Sequence, residues 1–555
     1  MRTRSFFPVA FLFLATAWAA AAGPFDVRLA WTGDPASTQT VSWTTDALTR
    51  EGYVQLRERS GREARTVQAP PPEPWESMQL WSVELDGLTP GRTYVYRVGD
   101  GADWSPEYSF RTAPAEPGKF RFLVFGDTSD KDRDYTGWGK TARAAFASFP
   151  DARFALTLGD VVARGQFYED WAPWIAAAGD APARVPFLHT VAKDECSYGQ
   201  EYAKATGRPE TGAPRLLPKL WKSPPNGPPA YRGLAYSFDY GDAHIVSIPS
   251  QFESHHPGDE AARDAMAADI ARWLGEDLAA TSKPWKIVLM HVALYPTLSD
   301  RGADRVRRIF QPVLEKHGVD VVFDAHSHCV ARTWPIRDGV FGSFPADGVV
   351  CYTVGTSQPN PKKDTSRKIW HAFAWDGQTR ANYLAVTVSG DKLRIETFLD
   401  DNTPLDRYVI DKEDPFDSTL TVPPARFEKT HAVCFGSVVP VWYPPLSEDK
   451  PGYGGLPFRD DNPRKGIPDL IPNGEWCFDI RTLAVFLNGV WDRDRRSLTY
   501  DDMALGLSFP PDTVHLGTTA GGHPMDYVSE KGLEAAGFEV RYDDALNLWF
   551  IERTR

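Results

Sequence analysis

Cysteine is scarce in this chain: there are 5 in 555 residues. Cys196, Cys329, Cys351, Cys434 and Cys477 lie far apart, with no C-x-x-C pair and no zinc-ribbon spacing. That excludes a disulfide-built scaffold and a structural zinc module. An odd count leaves at least one thiol unpaired in a monomer. A Cys434–Cys477 bridge is one option, which the spacing alone does not fix. Positive charge is also short. Lys and Arg total 61 against 74 Asp and Glu, a net charge of −13, which argues against a nucleic-acid partner held by phosphate contacts. No run after residue 22 is long and apolar enough to make the ~20-residue helix that crosses a bilayer. Gly-x-Ser-x-Gly, P-loop and Rossmann fingerprints are missing, and no internal repeat is visible.

What is present points to several packed domains. Hydrophobic residues make up 42% and aromatics 13%, with 19 Trp, a composition that buries cores rather than staying disordered. At roughly 150 residues per domain the length suggests three or four. The N-terminus has the form of a signal peptide over residues 1–22. Arg2 and Arg4 precede an apolar run from Phe6 to Trp18, and Ala20, Ala21 and Ala22 offer a small-residue cleavage site before Gly23. The expectation is a secreted, periplasmic or cell-surface protein without a transmembrane segment.

Residues 25–114 have the pattern of an all-β sandwich. Strand-like runs at Thr40–Thr45, Tyr53–Arg59, Gln79–Leu85, Arg92–Val98 and Glu107–Thr112 are separated by Gly, Pro and Asp. Leu88 to Tyr96 reads as a tyrosine corner. The Pro-rich stretch 113–118 marks a boundary. Beyond it, β runs (Phe120–Gly126, Phe154–Leu158, Trp285–Met290, Val319–Phe323) alternate with helical ones (Gly139–Ser148, Glu260–Leu278), the signature of an α/β domain. Residues 349–411 return to strands. Residues 413–470, rich in Pro, Gly and Asp, read as an irregular linker. Residues 471–555 read as a small α+β unit with a helix at Met525–Ala536, a C-cap at Gly537, and strands at Glu539–Tyr542 and Leu548–Glu552.

Metal-dependent hydrolysis needs carboxylates and imidazoles gathered with open positions for water. In an α/β sheet such groups belong just past the carboxyl ends of strands. The central segment supplies that arrangement four times. Gly126-Asp127 and Gly159-Asp160 each follow a β run, His291 follows Lys286–Met290, and His326-Ser-His328 follows Val321–Phe323. One such motif is a common turn. Four in this order, on what reads as one sheet, point to a metal centre of Asp127, Asp160, His291, His326 and His328.

The order Gly-Asp, Gly-Asp, a short third motif, Met-His and His-x-His resembles that of the calcineurin-like metallophosphoesterases. Tyr108–Pro114, Tyr236–His244 and Trp285–Tyr295 are similar to the purple acid phosphatase branch, and the resemblance covers roughly residues 25–412. It implies a fibronectin III-like β-sandwich (25–114). A metallophosphoesterase α/β domain would follow (119–412), a β-sandwich flanked by helices. It further implies that Asp160 bridges two metals, that Asp127 and His328 bind the first, and that His291 and His326 bind the second. A bridging hydroxide would then attack a phosphate ester in line. The metals would be divalent or trivalent (Fe, Zn, Mn or Mg), one or two per chain, with affinity falling in acid.

Three departures qualify that reading. The second motif, Gly159-Asp160-Val-Val-Ala163, lacks the family's Tyr ligand, so no purple colour is expected; Tyr168 falls at the wrong spacing. The first motif, Asp127-Thr-Ser129, has no His two residues on. The third, Ala192-Lys193-Asp194-Glu195, stands where Gly-Asn-His-Glu/Asp is usual. An ammonium at Lys193 repels a divalent cation. Two readings stay open. Lys193 replaces the second metal electrostatically while Asp194 serves as ligand or general acid, or the domain has lost catalysis and acts as a surface binding scaffold. His255-His256 reads as an exposed loop pair, His244 as a core or supporting residue, Arg332 as structural and Lys362-Lys363 as a solvated loop. Thr518–Tyr542 is similar to the domain named for the N-terminus of copper amine oxidase, which implies a cell-surface or matrix contact, not copper chemistry.

Overall fold

The computed structural model describes residues 23–297, 302–341, 345–360, 370–375 and 380–413, and after these the strands and short helix named below. The signal-peptide stretch 1–22, the Lys362-Lys363 loop, Gly537 and the Cys434 and Cys477 side chains lie outside the described residues.

The N-terminal unit is a sandwich of two four-stranded sheets. One runs in the order Phe25–Ala30, Gln39–Asp46, Met78–Leu85, Glu73–Trp75; the other runs Arg65–Gln68, Tyr53–Glu58, Thr93–Gly99, Tyr108–Arg111. Alternating apolar residues turn inward, and Trp43 and Trp81 stack at 5.9 Å in the core. The Thr89 N–H donates to the Tyr94 hydroxyl at 2.8 Å, the bond expected of a tyrosine corner.

The central domain is built in four layers: helices, sheet, sheet, helices. A six-stranded sheet has the order Phe187–His189, Ala155–Thr157, Phe120–Phe125, Asn382–Ser389, Lys392–Leu399, Pro404–Asp411. A seven-stranded sheet has the order Tyr236–Tyr240, Ala243–Ser247, Trp285–Leu289, Val321–Asp324, Val350–Thr353, Val330–Thr333, His371–Trp375. Their facing sides share one core that includes Phe122, Val124, Leu156, Ile287, Phe323 and Leu384. These strands read as near-continuous apolar runs because both faces are covered. Helices Thr136–Ser148 and Tyr168–Ala177 cover the outer face of the first sheet, and Glu260–Ala280 and Ala303–Lys316 that of the second.

The sandwich is fastened to this domain by buried polar contacts. Arg28 donates from Nε to the Leu220 carbonyl at 2.9 Å, the Tyr96 hydroxyl to the Ala183 carbonyl at 2.7 Å, and the Tyr168 hydroxyl to Asp26. Trp31 packs into the central core against Phe154 and Phe238.

Two sequence expectations change at the C-terminus. The stretch Met525–Ala536 is not one helix: Pro524–Ser529 is a strand, and only Glu530–Ala535 is helical. Tyr527 and Val528 favour the extended chain, and pairing with Val514–Thr518 satisfies it. The 413–470 segment is not merely connecting. His431–Phe435 pairs with Val439–Tyr443 and, in parallel, with Leu548–Arg553, so it contributes strands to the C-terminal unit.

His244 stands at the opposite end of its strand from the candidate metal residues. Its Nδ1 lies 2.8 Å from Asp239 and its Nε2 2.8 Å from Asp277, tying the Tyr236–Ser247 hairpin to helix Glu260–Ala280. Burial works against its charge, but the two carboxylate bonds outweigh it and raise the pKa to about 9. A group raised in the folded state stabilises fully below its unfolded pKa of about 6.5 and ceases to do so as pH climbs through the folded value. Urea denaturation should therefore show His244→Gln less stable than the native chain by ~1–2 kcal/mol at pH 6. The gap should close by about pH 10.

Candidate metal centre

All the predicted ligands leave the carboxyl ends of parallel strands, but they do not share one sheet. Asp127 follows Phe120–Phe125 and Asp160 follows Ala155–Thr157 in the six-stranded sheet, whereas His291, His326 and His328 follow Trp285–Leu289 and Val321–Asp324 in the seven-stranded one. The site lies at the seam, where the two sets of strand ends meet.

The backbone is strained there. Asp127, Asp160, His326 and His328 have φ of +35°, +49°, +67° and +56°. Positive φ costs an L-residue energy, and such residues concentrate at functional sites. The preceding glycines allow the close approach. A Cβ at Gly159 would lie 2.5 Å from Ala192 Cβ, and one at Gly126 2.6 Å from the Gly355 carbonyl.

Hydrogen bonds to carbonyls set the imidazole tautomers. His291 Nδ1 is 2.7 Å from the Leu158 carbonyl, which can only accept, so Nδ1 carries the proton. Its Nε2 then faces Asp160 Oδ2 at 3.3 Å and His326 Nδ1 at 3.1 Å. Ligand atoms of Asp160, His291 and His326 all fall within 4.8 Å of one another. A carboxylate and two imidazole nitrogens converging in this way offer a ligand set that suits a first-row metal. Likewise His328 Nδ1 donates to the Asn360 carbonyl at 2.8 Å, which turns Nε2 to within 3.2 Å of Asp127 Oδ1. That oxygen is buried without a hydrogen bond among the described residues. The other Asp127 oxygen accepts the His326 N–H at 3.0 Å. The residues present fit a metal.

Electrostatics agree. Burial alone would lower the His291 pKa, but Asp160, with Asp127 beyond it, raises it to about 10; Asp160, against its own desolvation, is held well below the usual carboxylate range by His291. With no metal, a proton on His291 takes the cation's place.

The third motif is placed differently from the sequence expectation. Lys193 is exposed, and its ammonium pairs with Glu210 at 3.1 Å at the rim. Asp194 donates its backbone N–H to Asp160 Oδ1 at 2.9 Å. Its own carboxyl is pushed well up by burial and by the charges of Asp160 and Glu195. Tyr168 is committed to Asp26, away from the centre. His255 is buried at 5% exposure, not in the exposed loop expected of it, because the short helix Phe252–His255 packs Phe252 into the core beneath. Arg332 is structural: it pairs with Asp406 at 3.0 Å inside the fold.

Sequence reasoning passed over two supporting residues. Glu195 is fully buried and accepts backbone N–H bonds from Val161 at 2.7 Å, Ala192 at 2.9 Å and Asp160 at 3.1 Å, holding the second and third motifs together. Burial and Asp160 raise its pKa to about 7. Its position in the third motif was the available signal. Ser250 Oγ accepts the N–H groups of His291 and Val292 at 3.1 and 2.9 Å, and nothing in the sequence marked it.

The two-sheet architecture, with its donors gathered at the seam, is that of a metallophosphoesterase α/β domain. The family model described as calcineurin-like phosphoesterase matches residues 120–330, and that of the purple acid phosphatase N-terminal domain matches 24–112. The chain is 28% identical over 347 residues to acid phosphatase type 7 of Homo sapiens, covering 57% of this chain and 72% of the relative. It is 22% identical over 341 residues to purple acid phosphatase 18 of Arabidopsis thaliana, with 57% and 68% covered. A third relative, named probable inactive purple acid phosphatase 24 of Arabidopsis thaliana, is 24% identical over 282 residues, 46% of this chain and 43% of that one. The structure of a purple acid phosphatase from yellow lupin (Lupinus luteus) seeds superposes with a TM-score of 0.59 at 20% identity, over 73% of this chain and 78% of that one. The chain is thus similar to purple acid phosphatases, with a segment matching that family's N-terminal domain followed by one matching the calcineurin-like phosphoesterases. These matches support a hydrolase acting on phosphoric esters, in a family whose centre is dinuclear.

Because Glu195 satisfies three backbone donors, Glu195→Ala should cost ~3 kcal/mol in denaturant unfolding. It should also weaken metal binding at least tenfold in a competition titration, since the partners of metal ligands hold those ligands in orientation. Glu195→Gln should lose less in both.

Proposed function

We propose that this chain is an exported, metal-dependent phosphoesterase. Its tight metal is held by Asp160, His291 and His326, and a weaker position is completed by Asp127 and His328. The observation that carries the reading is the convergence of ligand atoms of Asp160, His291 and His326, all within 4.8 Å of one another. A bound metal supplies Lewis acidity for the phosphoryl oxygens and lowers the pKa of the attacking water. The chain's own residues do the rest. Leu158 and Asn360 orient two imidazoles through their carbonyls, and the Asp194 N–H steadies Asp160. Asp194, whose carboxyl is pushed up by burial and by Asp160 and Glu195, is the group we assign as general acid for the leaving oxygen. Lys193, engaged with Glu210, adds positive charge at the rim rather than filling a ligand position. Iron, zinc, manganese and magnesium all suit a site of this kind. Export rests on the form of residues 1–22, and a surface-contact role for the C-terminal unit rests on its resemblance to the copper amine oxidase N-terminal domain.

A non-catalytic scaffold is the second reading. The altered third motif favours it, as does the relative whose name marks it as probably inactive. Hydrolysis of a chromogenic phosphate ester separates the two. Turnover that falls at least a hundredfold in Asp160→Ala is the expected outcome; no turnover across pH and divalent metals establishes the scaffold. Elemental analysis should find one tightly bound metal per chain, and two stoichiometric metals would sink the one-tight-site assignment. Since His291 holds its proton up to about pH 10 without metal, binding at pH 7 must displace it. Calorimetry in buffers of different ionisation enthalpy should record release of about one proton, with affinity rising as pH rises.

A further inference from the structure

Beside the third motif lies a cluster of rings that the metal chemistry does not use. Phe167, Tyr198 and Tyr202 are each only partly buried, and none joins the core clusters. They pack on one another instead. Tyr198 and Tyr202 stack at 5.2 Å with planes 19° apart, and Phe167 meets them edge-on at 6.2 and 5.8 Å. The Arg164 guanidinium lies 5.1 Å over Phe167. No hydrogen bond engages either tyrosine hydroxyl among the described residues.

The cluster is tied to the candidate centre by the backbone. Asp194 donates its N–H to Asp160 at 2.9 Å, Gly165 donates to the Asp194 carbonyl at 2.8 Å, and Gln166 donates to the Ser197 carbonyl at 3.3 Å. Tyr198 follows at once, and its N–H is held by the carbonyl of Glu210, the partner of Lys193. The rings therefore stand on the two loops, 160–167 and 194–198, that carry Asp160 and Asp194 and that these bonds hold together. Partly exposed aromatic rings in such a place lose little entropy on binding and offer π-faces to a planar group.

Resting on the phosphoesterase reading above, we propose that Phe167, Tyr198 and Tyr202 form a stacking subsite for the alcohol portion of the ester. The substrate class is then a phosphate ester of an aromatic or heterocyclic alcohol, such as an aryl or nucleoside phosphate, rather than a sugar or aliphatic one.

Calorimetric binding to the metal-loaded full chain tests this without turnover and without the greater intrinsic reactivity of aryl esters. Phenylphosphonate should bind about tenfold more tightly than butylphosphonate, the scale expected of one stacked ring. That ratio should fall towards one in Tyr198→Ala and in Tyr198→Leu, and persist in Tyr198→Phe. A variant that had lost its fold would weaken both phosphonates alike and leave no binding to compare; in that event the ratio in the native chain decides alone. A native ratio near one, or a ratio unmoved by both Tyr198→Ala and Tyr198→Leu, overturns the subsite. If inorganic phosphate binds but phenylphosphonate gains nothing over butylphosphonate, only the subsite fails. If neither phosphate nor either phosphonate binds, the phosphoesterase reading fails and the subsite with it. Adenosine 5′-monophosphate binding more tightly than ribose 5-phosphate would identify the ring as a nucleobase, and equal binding would leave a simple aryl ester.

Discussion

Among the hydrogen bonds that cross the seam where the strand ends of the central sheets meet, two orient the candidate ligands. One runs from His291 Nδ1 to the Leu158 carbonyl, the other from the His326 N–H to Asp127 Oδ2. Each joins a group on the seven-stranded sheet to one on the six-stranded sheet. They do more than hold the layers. The first leaves His291 Nε2 pointing at Asp160, and the second occupies one Asp127 oxygen and frees the other for His328. The shared apolar core sets the spacing of the sheets, and these bonds set the orientation of the donors within that spacing. Glu195 and Ser250 then bind the loops that carry them.

The charge balance of the seam follows from the same geometry. Asp160, Asp194 and Glu195 are brought close together in a poorly solvated place. Carboxylates so placed cannot all stay ionised without a nearby cation. Without metal, the chain answers with a proton on His291 and with raised pKa values at Asp194 and Glu195. A metal held by Asp160, His291 and His326 would take the place of the first of these. The lysine in the third motif, which by its charge looked set to occupy a metal position, is paired with Glu210 instead. Its effect on the site is exerted from the rim.

Much of the layout was legible because its signals are local. Alternating apolar residues marked the sandwich strands, Gly-Asp after a β run marked two site loops, and helical spacing marked Glu260–Ala280. Other features were not legible, for identifiable reasons. His255 looked like an exposed loop residue because its burial comes from Phe252 packing into a distant core. The strand Pro524–Ser529 read as helix because its backbone is satisfied by pairing on both sides, with Val514–Thr518 just before it and with Cys477–Asp479 about fifty residues earlier. His431–Phe435 read as linker, since its partner Leu548–Arg553 lies about a hundred residues away in the chain.

The amino-acid sequence by itself determined which residue types stand after which strands: Asp127, Asp160, His291, His326 and His328, and the departure at Lys193. Periodicity and motif order are properties of neighbours along the chain, so they need no fold to be seen. Only the tertiary structure decided that these five divide between two facing sheets, that Lys193 turns to Glu210, and that Phe167, Tyr198 and Tyr202 gather beside Asp194. Those outcomes depend on how the two sheets pack and where the connecting loops are pinned, and such contacts join residues far apart in sequence that no local pattern records.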